Sequence, residues 1–212
     1  MTSTRWAIVA AAGSGTRFGG LKQFEELGGR SLVSRALDLF SGWNGVVVAL
    51  PPGHAEHPAW SGVTAVTGGA SRRASVARAL SRVPMDADVI AVHDAARPLA
   101  TSALLDVLEA ALASDYEGAV PGRRVTDTVK RVALHGNVVA TIPREELRAV
   151  QTPQLFRAAA LRKAHADAPR DAPAPDDAAL LEGLGLRVVV VEWPEDNPKV
   201  TVPADLERLR RA

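Results

Sequence analysis

The segment Ala10-Ala11-Ala12-Gly13-Ser14-Gly15-Thr16-Arg17-Phe18-Gly19-Gly20-Leu21-Lys22 joins a run of small residues to two cations. Small side chains let backbone N–H groups come close to phosphate oxygens, and Arg17 and Lys22 can add formal positive charge. The same composition suits a flexible strand-to-helix turn carrying two solvated cations. Two familiar phosphate loops do not fit. A Walker loop needs Gly-Lys followed by Ser or Thr, whereas Lys22 precedes Gln23. A dinucleotide fingerprint, G-x-G-x-x-G, would place bulky Phe18 where Gly or Ala must allow a helix to pack.

Other polar residues sit at informative places. Asp94 closely follows the apolar run 89–92, at the carboxyl end of a candidate strand, which is the edge where open α/β sheets bind ligands. An Asp there can contact a metal or a ribose, or simply cap a turn. Arg97, three residues on, can reach an anion or pair with a surface carboxylate. Gly68 and Gly69 follow another strand end, where missing side chains would let a planar base lie against the backbone. Ser71 and Ser75 suit either nucleotide hydrogen bonds or helix capping and helix surface. Thr128, Lys130 and Arg144 form a grouping suited to a phosphate, or to solvation. The five His residues are scattered, and nothing resembles a Ser-His-Asp or metal–His array.

These residues need elements to hold them. Runs rich in Val, Ile and Ala at 6–10, 46–50, 63–67, 89–92 and 188–191 read as buried strands. Between them, 31–40, 71–83 and 101–113 repeat apolar residues at helical spacing. The alternation predicts an α/β fold, a Rossmann-like, mainly parallel sheet flanked by helices. Residues 126–133 and 138–142, joined by Leu134-His135-Gly136-Asn137, read as a β-hairpin too poor in apolar residues for the core. It is expected to project as an arm, with a second subunit as its partner. Residues 168–175 should form a loop, 198–203 an extended passage, and a terminal helix should start near Ala204 with Asp205 in its first turn.

The chain has 212 residues and 47% hydrophobic content, enough for one substantial core, so one domain spanning 1–212 is expected, with about 123–146 as a dimerisation arm. With 25 Lys and Arg against 24 Asp and Glu, no general electrostatic case exists for a nucleic-acid or membrane partner, and an anionic ligand must be held by a local cluster. The absence of Cys excludes disulfides and thiolate metal sites. No export leader or long apolar run is apparent, and a cytoplasmic protein is expected.

Further segments follow the glycine-rich loop in order: Gly68-Gly69-Ala70-Ser71-Arg72-Arg73-Ala74-Ser75-Val76, His93-Asp94-Ala95-Ala96-Arg97-Pro98, Asp127-Thr128-Val129-Lys130, Gln151-Thr152-Pro153-Gln154 and Asp196-Asn197-Pro198-Lys199-Val200-Thr201. Together they resemble the 2-C-methyl-D-erythritol 4-phosphate cytidylyltransferases of isoprenoid precursor synthesis, from about Ala7 to Leu206. The resemblance implies the nucleotide-diphospho-sugar transferase type of fold and transfer of CMP from CTP to a polyol phosphate, with Mg²⁺ or a similar divalent cation, in a homodimer. It implies that Arg17 and Lys22 stabilise the transition state. Ala11, Ala12, Gly13, Gly15, Gly68, Gly69, Ser75, Asp94 and Ala95 would bind the nucleotide, Asp94 also meeting the metal. Arg144, Lys199, Thr128 and Arg97 would position the acceptor, Arg144 from across the dimer, while Thr152 would support the site through a turn. Two positions depart from the pattern: Leu21 stands where Pro is frequent, and Pro175, before Asp176 and Asp177, replaces a common Thr and cannot donate a hydroxyl hydrogen bond. Another acceptor, such as ribitol 5-phosphate, would use the same nucleotide half, and a non-catalytic nucleotide-binding module would lack the cations that are present here.

Overall fold

Strand β1 (Arg5–Ala10) lies between β4 (Gly45–Leu50) and β6 (Val89–Asp94), parallel to both. With a neighbour on each edge and helices on each face, Ala7, Ile8 and Val9 are all fully buried, which is why the run is continuously apolar. The computed structural model describes residues 3–56, 60, 62–169 and 174–211. Beyond β4 lies parallel β5 (Thr64–Thr67). On the other side, β11 (Gln154–Arg157) runs antiparallel to β6 and to β7 (Gly118–Arg124). The next stretch of β7 pairs with β10 (Arg148–Val150), and β12 (Val188–Glu192) runs parallel to β7 along its length. These eight strands form one mixed, mostly parallel sheet.

The two-residue period of the strands divides the core. Ile8, Val47, Ala49, Ile90 and Val92 face α2 (Arg72–Leu80), α4 (Ala158–Asp167) and α5 (Ala178–Glu182). Ala7, Val9, Val46, Val48, Leu50 and Ala91 face α1 (Leu32–Asp38) and α3 (Ser102–Leu112). A smaller cluster, Leu27, Leu32, Val200 and Leu206, seats the terminal helix α6 (Pro203–Arg211) beneath the short ribbon of β2 (Glu26–Leu27) and β3 (Arg30–Ser31).

The expected strands and helices are present; the three helices between the strands are trimmed at both ends, and four of the five strands run one or two residues longer than expected. Ser31 and Ser71 lie outside α1 and α2 as extended cap residues, each hydroxyl accepting from the backbone N–H three residues on. The predicted hairpin is β8 (Val129–Val132) with β9 (Val138–Ile142), so its first strand is shorter than 126–133. Its turn closes through Gly136 at φ +82°, and it pairs with no strand of the large sheet. The expected loop 168–175 is irregular where described, and its residues 170–173 lie outside the described residues. No helix among the described residues is long and apolar enough to cross a membrane.

Candidate active site

At the carboxyl ends of β1 and β6 the chain opens a cavity of about 530 Å³. Its walls come from the glycine-rich loop (Ala10 to Ser14, Arg17, Lys22, Gln23), the start of α2 (Gly69 to Arg72, Ser75), Asp94 to Ala96, and Lys199. A second cavity of about 300 Å³ is lined by Arg97, Val150, Gln151, Thr152, Gln154, Pro175 and Asp176. Arg72, Asp94 and Lys199 line both cavities, so these three side chains form a common wall.

The glycines of the first loop divide their duties. Gly15 has φ +67°, and an added Cβ would stand 1.7 Å from the Gly20 carbonyl oxygen, so it serves to fold the loop back on itself. Its own carbonyl accepts from the N–H groups of Phe18, Gly19 and Gly20. Gly13 has open space around it and lines the cavity, where a ligand can approach its backbone. Gly68 and Gly69 are tight for another reason: a Cβ on either would meet Ala12 or Ala74 at 2.1 and 2.5 Å. Ser75 is buried, contrary to an ordinary helix-surface position. Its hydroxyl accepts from Gly69 N–H (3.0 Å) and donates to the Ser71 carbonyl (2.8 Å), fixing the glycine turn.

Lys22 and Lys199 are held by long-range contacts, Arg17 by none among the described residues. Lys22 Nζ donates to the Val200 carbonyl at 2.7 Å. Burial, with Lys199 and Arg17 nearby, lowers the Lys22 pKa below the usual lysine value. Arg17 is exposed and has no ion-pair partner among the described residues. Asp94 is buried and accepts from Arg72 Nε at 2.9 Å and Lys199 Nζ at 2.5 Å. Burial alone would raise its pKa, but Arg72 and Lys199 outweigh that and hold the carboxyl well below the usual range.

Around this centre the supporting bonds are specific. Thr152, joined to Pro153 by a cis peptide, receives Asp94 N–H on its hydroxyl at 3.0 Å, and its carbonyl accepts from Asn197 Nδ2 at 2.8 Å. Arg97 Nη1 donates to the Asn197 carbonyl at 2.7 Å, and Val200 N–H to the Ala96 carbonyl at 2.8 Å. Burial lowers the Arg97 pKa. Asp205 at the start of α6 accepts from Thr201 and Val202 N–H, completing the anchorage that presents Lys199. His93, behind Asp94, is fully buried, which pushes it down to about 4 and keeps it neutral near pH 7.

The structure thus gathers Ala11, Ala12, Gly13, Arg17, Lys22, Gly69, Ser75, Asp94, Ala95 and Lys199 at one cavity and Arg97 at the adjoining one. Gly15 and Gly68 stand behind these walls. Thr128 and Arg144 line neither cavity; both are exposed on the arm, where Arg144 donates to the Thr126 carbonyl. Arg72 and Asp177 stand within the sequence motifs, but sequence reasoning gives them no role. The partners of Arg72, Asp94 and Asp177, lie 22 and 105 residues away from it, so no local spacing signals the pairing.

A divalent cation can be tested against the residues present. Asp94 is the one carboxylate that lines the larger cavity, and no group of three or more His, Cys, Asp or Glu is placed to hold a metal among the described residues. That suits a hard cation carried largely by phosphate oxygens and water, with one protein carboxylate.

A glycine-rich loop after β1, a cationic cleft at the strand ends and the mixed sheet define a nucleotidyltransferase of the nucleotide-diphospho-sugar transferase type. Residues 6–210 match the family described as 2-C-methyl-D-erythritol 4-phosphate cytidylyltransferase, IspD. A protein of that name from Xanthomonas euvesicatoria pv. vesicatoria is 42% identical over 98% of this chain and 84% of its own length. The crystal structure of the one from Thermus thermophilus superposes with a TM-score of 0.82 at 40% identity, covering 97% of this chain and 96% of that one. The Francisella tularensis structure gives 0.78 at 28% identity over 97% and 98%. The chain belongs to the 2-C-methyl-D-erythritol 4-phosphate cytidylyltransferase family.

Proposed function

We propose that this chain transfers CMP from CTP to 2-C-methyl-D-erythritol 4-phosphate, a step of isoprenoid precursor synthesis. The observation that carries this reading is the common wall: two adjoining cavities, both facing cations, suit two anionic substrates whose phosphates must meet. CTP occupies the larger cavity, with its triphosphate against the Gly13 loop, Arg17 and Lys22. The acceptor lies in the smaller one, beside Arg97 and Lys199. A phosphate monoester is largely ionised near pH 7, so its oxygen attacks the α-phosphorus without a general base. The new O–P bond forms as the bond to the bridging oxygen of the β-phosphate breaks, and pyrophosphate leaves. Arg17 and Lys22 offset the charge that accumulates on the pentavalent phosphorus. Asp94 would hold a magnesium ion, exchanging its bond to Lys199; such an ion neutralises phosphate charge.

The arm completes the acceptor subsite in a neighbouring subunit of a homodimer, with Thr128 and Arg144 reaching the acceptor phosphate. Support comes from their absence from the linings of both cavities of their own chain and from the exposed Val132, Leu134, Val138 and Val139 on the hairpin. Pyrophosphate release from CTP is to be compared across phosphorylated polyols. Methylerythritol 4-phosphate is expected to give the highest kcat/KM; preference for ribitol 5-phosphate would replace the acceptor, and CTP binding without turnover on any acceptor would leave a non-catalytic module.

A further inference from the structure

From the common wall a chain of polar contacts leads back to two groups, Asp177 and His165, that line neither substrate cavity. His165 Nε2 meets Asp177 Oδ1 at 2.9 Å, Arg72 Nη1 donates to Asp177 Oδ2 at 2.6 Å, Arg72 Nε donates to Asp94 Oδ1 at 2.9 Å, and Lys199 Nζ to Asp94 Oδ2 at 2.5 Å. The His165 and Asp177 side chains are 5% and 1% exposed, and Asp177 lines neither cavity. An ionised carboxylate only accepts hydrogen bonds, so His165 presents Nε2–H to it. The acidic pair divides its work: Asp176 accepts from Gln154 Nε2 and caps α5 through Ala179 N–H, while Asp177 turns inward.

We infer that Asp177, held by His165, is a positioning residue for CMP transfer, acting through Arg72 to set the Asp94 carboxylate. The inference rests on the function proposed above. Arg72 is planar; Asp177 at Nη1 holds the guanidinium in an orientation that offers Asp94 only Nε, while Nη2 has no partner among the described residues. The other oxygen of Asp94 is thereby kept for Lys199, or for whatever cation replaces it. Charge balances as well. Arg72 and Lys199 oppose Asp94 and Asp177. Without the Asp177 charge, Arg72 is released to take both oxygens of Asp94 in a forked pair, the geometry that Arg and carboxylate favour. Asp94 would then turn from the substrates although no residue touching them had changed. His165 sits one step further out, on α4, and keeps the Asp177 carboxylate from rotating towards Arg72 with both oxygens.

The test uses the full chain with CTP and methylerythritol phosphate, and reads kcat, each KM and Tm for Asp177→Asn, His165→Leu and His165→Gln. Asp177→Asn is expected to lower kcat about 10- to 100-fold, the range for partners that orient a functional carboxylate, with CTP KM changed less. His165→Leu should lower kcat less, and His165→Gln, whose amide can still donate, should restore most of it. In an Asp94→Asn background, Asp177→Asn should cost nothing further, because its route of action is gone. Unchanged kcat in folded His165→Leu and Asp177→Asn, with only Tm lowered, would overturn the inference. So would a full additional loss in the Asp94→Asn background. Should Asp177→Asn fail to fold, the two His165 variants decide. A wild-type protein inactive with both substrates would instead overturn the proposed function.

Discussion

The body and the arm of this protein hold their charged residues in opposite ways. In the body, Lys22, Arg72, Arg97 and Lys199 are each bonded to groups 22 to 178 residues away, and all but Lys199 are partly buried. On the arm, Lys130 reaches Thr141 across the hairpin and Arg144 reaches Thr126, contacts of 11 and 18 residues made in solvent. The body is therefore preorganised for chemistry before a substrate arrives, and such preorganisation is the larger part of what a site contributes to rate. The arm has the residue types for phosphate, and Thr128, Lys130 and Arg144 line neither of the two cavities of the described residues.

The contrast is sharpened first by Lys22→Ala, where kcat should fall about 10²-fold or more while CTP KM rises less, as for loss of a donor that acts in the transition state. Near-normal turnover would remove Lys22 from the chemistry. Arg144→Ala should be milder and confined to the acceptor: kcat/KM for methylerythritol phosphate should drop roughly 10-fold or more, the value of a charge-assisted hydrogen bond, with CTP KM unchanged. A CTP effect as large as the acceptor effect would place Arg144 elsewhere.

The pH dependence should separate the regions too. Because the Lys22 pKa is lowered, its charged form is lost at a lower pH than for free lysine, so kcat/KM for CTP should decline on the alkaline side beginning below 10.5. Lys22→Arg should move that decline upward, whereas Arg144→Lys should leave it in place. The smallest effect belongs to the tip of the arm. Leu134 is 96% exposed, so Leu134→Ser should alter the stability of the single chain by under about 0.5 kcal/mol while weakening self-association measured by sedimentation. Unchanged association would detach the arm tip from the subunit interface.

Much of this arrangement is legible in the sequence because it is local. The apolar runs of β1, β4, β6 and β12, the cap at Ser71, and the hairpin turn at Gly136 follow from neighbouring residues alone. Strand β7 is not readable: Gly118, Pro121, Gly122, Arg123 and Arg124 lack a strand signature, and its neighbours β10, β11 and β12 supply the pairing. Helices α4 and α5 carry weak patterns between a proline-rich loop and buried strands. The glycine-rich loop and Asp94 are identifiable as candidates, but not that Lys199 and Arg72 share Asp94, a convergence produced by the sheet and the terminal segment. Ser75 can pass for helix surface because helical spacing cannot show that Gly69 needs its hydroxyl. Pro175 stands out for the hydroxyl it lacks, whereas the inward turn of Asp177 depends on α4 packing behind it.

The measurement that tests the division between body and arm most directly mixes two impaired proteins. Arg144→Ala, with an intact body, and Lys22→Ala, with an intact arm, are unfolded and refolded together in equal amounts. With random pairing about half the dimers are mixed, and in each mixed dimer one site is wholly wild type, so roughly a quarter of wild-type activity should return. If Arg144 served its own chain, every site would keep one lesion; activity no higher than that of the separate variants, with mixed dimers demonstrated by native mass spectrometry, would contradict the shared site.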